Sequence, residues 1–369
     1  MKAICFYLPQ YHPTPENDEW WGHGFTDWIN VANARPRFSG HYQPHLPADL
    51  GFYDLRLKET RLAQANLAES YGIHGFCYYH YWFNGSRLLG RPFDEVLQSG
   101  EPDYPFCLCW ANENWTRAWD GLDHQVLIRH EYTEADNRKH IAWLINAFSD
   151  PRYIKIDGRP LFLIYRVENI PDCAGLVHQW QRALNDANYP GLYLCAMKTG
   201  FSKQDTRSLL ASGFDAVVDF QPNRDDFPPS TNIRFRLYQF LQRVLPDAFY
   251  QSLKLRTRAV KRIDYETMMS RLSGFSPSPE YRELPCVFPS WDNSPRRASA
   301  TIIQNLDPLL FRQWLEGVIR KVRGYPESEQ LVFINAWNEW AEGCHLEPDR
   351  RFGHAFLKAV HDALNSEKS

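Results

Sequence analysis

Eight short apolar runs, each closing on polar or aromatic side chains, constrain this chain more than any other feature. In order they are Ala3–Leu8, Gly75–Tyr79, Phe106–Trp110, Leu161–Tyr165, Leu192–Met197, Ala216–Phe220, Cys286–Phe288 and Leu331–Ile334. Runs of this length, apolar throughout, are the pattern of strands buried on both faces. Segments of helical composition lie between several of them, notably Arg56–Tyr71, Glu134–Phe148, Leu176–Ala187 and Asp307–Val322, as parallel crossovers require. Eight strands with their functional groups gathered at one end predict an α/β fold, a (β/α)₈ TIM-type barrel with long loops over its C-terminal face. At 369 residues the chain reads as a single catalytic domain, 1–369.

Three excursions depart from the barrel plan. Residues 13–53 are rich in Trp, His, Pro and Gly and are expected to wall the barrel mouth. Residues 114–133 form a second excursion after the third strand. Residues 222–284, between strands six and seven, are basic around Lys254, Arg256, Arg258, Lys261 and Arg262, and are expected to form a small helical cap. A solvated helix face accounts for those charges better than a phosphate site does.

The last run leads into the richest cluster, LVFINAWNEWAEGCHLEPD at 331–349, where Asn335, Trp337, Asn338, Glu339, Trp340, Glu342, His345 and Glu347 follow the strand. Glu339 and Glu342 lie three apart, so a strand running straight into a helical turn places them on one face, with Cβ atoms about 5–6 Å apart. That suits two carboxyls serving one sugar at the retaining separation of about 5–5.5 Å. The competing reading is a pair of solvated first-turn glutamates; the flanking Trp337 and Trp340 argue against it, because indole faces suit sugar rings.

Further candidates stand at the other strand ends. WANENW offers Trp110, Asn112, Glu113 and Trp115; FCYYHYWFNG puts His80 and Trp82 on one alternating face and Tyr79 and Tyr81 on the other. FYLPQYH offers Tyr11 and His12, and SWDNSPRR offers Trp291 and Asp292, the latter either a site acid or an Asx-turn residue.

Composition excludes several classes. A net charge of −3 gives no electrostatic footprint for nucleic acid, and 13 Trp with 19 Tyr beside many Asn, Asp, His and Glu fit a carbohydrate partner. No GxGxxG, GxxxxGKS, GxSxG, HxH or HExxH pattern occurs, so neither a nucleotide loop nor a metal site is expected. The eight cysteines are spread out and read as small buried hydrophobes. No signal-like or membrane-spanning run is found, so a cytoplasmic location is expected.

With these residues assembled, the chain resembles the WbsX-like group, labelled glycosyltransferase and similar to glycoside hydrolase family 99. The likeness rests on FYLPQYHPTPENDEWWGHGFTDW, HYQPHLPADLGFYDLR, GIHGFCYYHYWFNG, WANENWTRAWDG, RYIKIDGRPLFLIYR and WNEWAEG. It implies a metal-independent, retaining (β/α)₈ enzyme on α-mannose-type linkages, working without cofactors. It further implies Glu339 as the base that deprotonates a sugar 2-hydroxyl and Glu342 as the general acid/base. A glycosyltransferase or transglycosylase in surface-polysaccharide assembly stays open beside the hydrolase, as does a glycan-binding module.

Overall fold

The computed structural model describes residues 1–366 apart from 118–121, 201, 203–205, 230–239, 242–243, 245–259, 277 and 279. The eight barrel strands are β1 (Lys2–Tyr7), β2 (Gly75–Phe83), β3 (Phe106–Trp110), β4 (Arg159–Ile164), β5 (Tyr193–Lys198), β6 (Ala216–Asp219), β7 (Arg282–Val287) and β8 (Leu331–Ile334). Each pairs in parallel with the next in sequence. Registering Lys2 with Leu331 and Cys5 with Ile334 joins β8 to β1 and closes the barrel.

Among the described residues an outer helix follows each strand: α1 (Lys58–Ser70), α2 (Arg91–Ser99), α3 (Glu134–Phe148), α4 (Cys173–Asp186), α5 (Thr206–Ala211), α6 (Tyr265–Leu272), α7 (Pro308–Val322) and α8 (Ala355–Asn365), with two short further helices, Pro15–Trp21 and Trp28–Asn33, in the insertion after β1. Local chemistry fixes their starts. Thr133 and Asp172 accept the amides of Asp136 and Gly175, and Asp307 accepts that of Leu309 with Pro308 in the first turn.

β2 runs past the expected end at Tyr79, because its last residues pair with Ser86–Leu88 as a hairpin. β7 begins earlier than expected, at Arg282; Glu283 and Pro285 interrupt the apolar signal in a strand that is nonetheless buried from Glu283 to Val287. The predicted insertion at 222–284 is also redrawn. Its end belongs to the barrel as α6 and the start of β7, and Val260–Asp264 pairs in parallel with Ala300–Gln304. The middle of the expected cap, with Lys254, Arg256 and Arg258, lies outside the described residues. All eight cysteines are buried and unbridged. Among the described residues, no helix is long and apolar enough to cross a membrane.

Candidate active site

Inside the barrel mouth the strands deliver aromatic rings that meet across the axis. Phe6 stacks against Tyr79 at 5.6 Å and Phe333 at 5.5 Å and meets Phe220 edge-on at 5.3 Å, while Tyr165 closes on both Tyr79 and Phe220. Such pairs add about 0.5–1.5 kcal/mol each beyond their burial, so this layer makes a firm floor. Above it opens a cleft of about 560 Å³, bordered by Tyr79, Tyr81, Tyr165, Trp21, Trp115 and Trp291 together with Glu113, Glu339 and Glu342. That volume suits a sugar-sized ligand.

The turn carrying the two glutamates differs from the straight strand-to-helix passage expected. After β8 the chain makes a short strand, Asn338–Glu339, pairs it antiparallel with Cys344–His345, and joins the two through one 3₁₀ turn, Trp340–Glu342. Residues three apart eclipse on a 3₁₀ turn, which puts Glu339 and Glu342 on one side. Gly343 ends the turn at φ +55°, and a Cβ there would stand 2.9 Å from the Asp292 Cβ and 3.0 Å from its amide nitrogen. Only glycine fits so close to a neighbouring backbone. That neighbour also holds the turn: the Asp292 amide donates to the Glu342 carbonyl at 2.7 Å, and the Ser290 hydroxyl to the Gly343 carbonyl at 2.6 Å.

Arg296 organises the charges. Its Nη1 lies 3.1 Å from an oxygen of Glu339 and 3.1 Å from an oxygen of Glu342, so those two oxygens are no more than about 6 Å apart. Its Nη2 donates to the fully buried Asp27 at 2.5 Å. The two glutamate side chains differ in wetness, 9% exposed for Glu339 against 29% for Glu342. Burial pushes the Glu339 carboxyl up to about 8; the Arg296 guanidinium opposes that rise, and the charges of Glu342 and Asp27 add to it. Three carboxyls around one guanidinium leave surplus negative charge, and Glu339, the more enclosed of the two glutamates, relieves it by holding a proton. Partial desolvation against the cleft wall also raises the Glu113 carboxyl, against the pull of Arg166 at 3.3 Å, although the side chain is half exposed.

The description "Glycosyltransferase WbsX" matches residues 3–360. The chain belongs to that family. It is 42% identical over 363 residues to "Uncharacterized protein WxcX" of Xanthomonas campestris pv. campestris, in strains ATCC 33913 and B100. The match covers 98% of this chain and 49% of those proteins, so the chain spans about half the length of the curated relatives it matches. Among solved structures it resembles a family 99 endo-alpha-mannosidase from Bacteroides thetaiotaomicron at a TM-score of 0.57 and 12% identity, over 99% of this chain and 96% of that one. A "Glycoside hydrolase-like protein" gives 0.56 at 16% identity, over 98% and 93%. At these identities the likeness is one of fold.

In this WbsX-family barrel, several residues expected at the site stand behind its wall. Alternation along β2 was read correctly but the other face is the wet one: Tyr79 and Tyr81 border the cleft. His80 and Trp82 point to the helices, where His80 meets His140 at 2.9 Å and Trp82 stacks on the same ring at 4.7 Å. Trp110 joins that layer against His140 and Trp180. Asn112 clamps the backbone of Arg166, accepting from its amide at 2.8 Å and donating to its carbonyl at 2.8 Å. Asn338 does the same to Leu8, at 2.7 and 3.0 Å, which makes both asparagines stitches between strand ends. Trp337 is buried against Phe76 at 5.2 Å. Trp340 donates to Glu347 at 2.6 Å and stacks on His345 at 3.7 Å. The Tyr11 hydroxyl donates to the Asn338 carbonyl at 2.6 Å and accepts the Trp340 amide at 3.1 Å, bracing the glutamate turn from behind. His12 is buried, and burial lowers its imidazole to about 4. Asp292 is the Asx-turn residue: it takes the Ser294 amide at 2.9 Å, with His41 at 2.6 Å and Gln43 at 2.7 Å on its other oxygen.

Arg296, Asp27, Tyr81 and Tyr165 were not among the residues predicted at the site. SPRR stands in the same stretch as Asp292, and FTDW in the first insertion, yet nothing in either spacing tells that they meet 269 positions apart.

Proposed function

We infer that this chain is a carbohydrate-active enzyme that cleaves an α-linked, mannose-type microbial polysaccharide with retention of configuration, with Glu339 and Glu342 as the working pair. The observation that carries the reading is the shared contact of both carboxyls with one nitrogen of Arg296 on the wall of an aromatic-lined cleft. Family membership and the fold likeness to an endo-alpha-mannosidase support it.

The proposed cycle starts from the form in which Glu339 is ionised and Glu342 carries the proton, and Glu339 takes the proton of the sugar 2-hydroxyl. The freed oxygen closes on the anomeric carbon from the face opposite the leaving group. As the glycosidic C–O bond breaks, Glu342 gives its proton to the departing oxygen. Glu342 then takes a proton from water, whose oxygen opens the three-membered ring at the anomeric carbon, while Glu339 returns its proton to the 2-oxygen. Two inversions give retention. A carboxyl with a raised pKa is a stronger base once ionised, which suits Glu339 to a weakly acidic hydroxyl. Glu113, Trp115 and Trp291 border the same cleft and are proposed to hold the glycan, the indoles by stacking.

A second reading is transfer in O-antigen or surface-polysaccharide assembly, with an acceptor sugar hydroxyl in place of water; the family's own description favours it. A panel of defined oligosaccharides, with NMR of the first-formed anomer, tests the first reading: release of the retained anomer supports it and the inverted anomer overturns it. Nucleotide release from nucleotide sugars in the presence of acceptor would favour the second.

A further inference from the structure

Behind the glutamate turn lies a second cluster that the sugar chemistry does not use. His45 Nδ1 and His345 Nε2 face each other at 3.0 Å, and an oxygen of Asp349 stands 3.9 Å from the same His345 nitrogen. All three side chains are buried, and their potential ligand atoms lie within 4.8 Å of one another. None of them borders the cleft. Two ligands each about 2.0–2.1 Å from one zinc ion stand roughly 3–3.4 Å apart, so the imidazole pair is already at ligand spacing.

The surroundings match what a metal site needs of its outer contacts. His345 Nδ1 meets the Glu347 carbonyl at 3.0 Å; a carbonyl can only accept, so Nδ1 carries the hydrogen and Nε2 presents its lone pair to the cluster. Asp349 Oδ1 takes the amides of Arg351 at 2.8 Å and Phe352 at 2.6 Å, which turns Oδ2 toward the histidines. The two segments are also held together by backbone: Ala48 donates to the Pro348 carbonyl and Arg350 to the Leu46 carbonyl, each at 2.9 Å. The cluster is thus positioned from both sides before any ligand arrives.

We propose that His45, His345 and Asp349 form a divalent transition-metal site, best suited to Zn²⁺ with water as fourth ligand, that pins the first insertion to the segment after β8. Two imidazoles and one carboxylate are a borderline donor set that favours zinc over calcium or magnesium. The consequence reaches the cleft through packing, because His345 carries the stacked Trp340 at the start of the glutamate turn. The ion has no part in the bond-breaking steps proposed above, and the inference stands apart from them.

The test uses the full chain, stripped with a chelator and titrated with Zn²⁺ against a competing chromophoric chelator, with Co²⁺ as spectroscopic probe. The expected result is one tight equivalent of Zn²⁺, the visible band of four-coordinate Co²⁺, and a higher Tm when loaded. His45→Gln and Asp349→Asn should each weaken binding at least about 10–100-fold and abolish the Co²⁺ band. Asp349→Asn keeps an oxygen for the two amides, so it reads the ligand even where His45→Gln fails to fold. Absence of binding by the parent chain, or stoichiometry unchanged in either folded variant, would overturn the three-ligand site and leave His45 and His345 as a hydrogen-bonded pair.

Discussion

Arg296 and Asp27 form a buried ion pair at 2.5 Å, and through it the insertion after β1 reaches the glutamate turn after β8. Asp27 is fully enclosed, so the guanidinium's other nitrogen is held on the two glutamates and cannot swing into water. Removing Asp27 leaves the guanidinium facing the two glutamates but strips the buried Nη2 of this acceptor. Asp27→Ala is therefore expected to cost about 1–3 kcal/mol of stability by chemical denaturation, more than an exposed pair would.

The same guanidinium sets the pH response. In the proposed role Glu339 works ionised, so kcat/KM should rise with pH along a limb near the raised value of about 8. Arg296 favours the ionised form; Arg296→Met should move the limb to higher pH, and Arg296→Lys should restore much of it. A limb that stays put in Arg296→Met would dissociate the two groups.

Stability should carry the opposite trace. Between the ordinary glutamate range and about 8, folded Glu339 holds a proton that the unfolded chain has released, so unfolding free energy falls as pH rises through that window. Buried histidines such as His12, lowered to about 4, act with the other sign but only below their ordinary value. Burial raises Glu347 to about 7, which adds the same sign up to that value, so from about pH 7 to 8 the Glu339 effect is left and Glu339→Gln should flatten the decline in Tm measured across that interval.

Tryptophans that border the cleft and those that do not should separate cleanly. Trp115→Ala is expected to raise KM by roughly threefold to tenfold with little change in Tm, the worth of one lost ring contact. Trp110→Ala, in the buried layer against His140 and Trp180, should instead cost about 3–5 kcal/mol of stability. The outcomes reversed would move the cleft wall to the wrong side of β3.

That contrast marks what the chain disclosed on its own. Apolar runs ending in polar groups are dictated by double-faced burial, so the barrel, its strand order and the strand ends that border the cleft were legible. Period-2 alternation was legible too, for it separates Tyr79 and Tyr81 from His80 and Trp82. Which of the two faces meets water was not, because both carry aromatic and polar atoms; the helix-side residue that decides it, His140, lies 60 positions away. Asn112 and Asn338 look like sugar ligands for the same reason that they stitch strands: one amide both donates and accepts. Arg296 escaped notice because the carboxyls around it come from two distant parts of the chain, the insertion after β1 and the turn after β8.

Gly343 ties local geometry to the pair. Gly343→Ala would need a positive φ and would press its Cβ on Asp292, so it is expected to lower kcat far more than it changes the affinity for glycan. Isothermal titration beside turnover measurements reads the split; equal losses in both would point to general unfolding.

The most direct test replaces the two acids. With an α-linked oligosaccharide that the parent protein cleaves, Glu339→Gln and Glu342→Gln should each lower kcat by at least about 10²-fold while glycan affinity and Tm stay close to those of the parent. Cleavage by either folded variant within a few-fold of the parent rate would contradict the account, since neither side chain would then be moving a proton in the reaction.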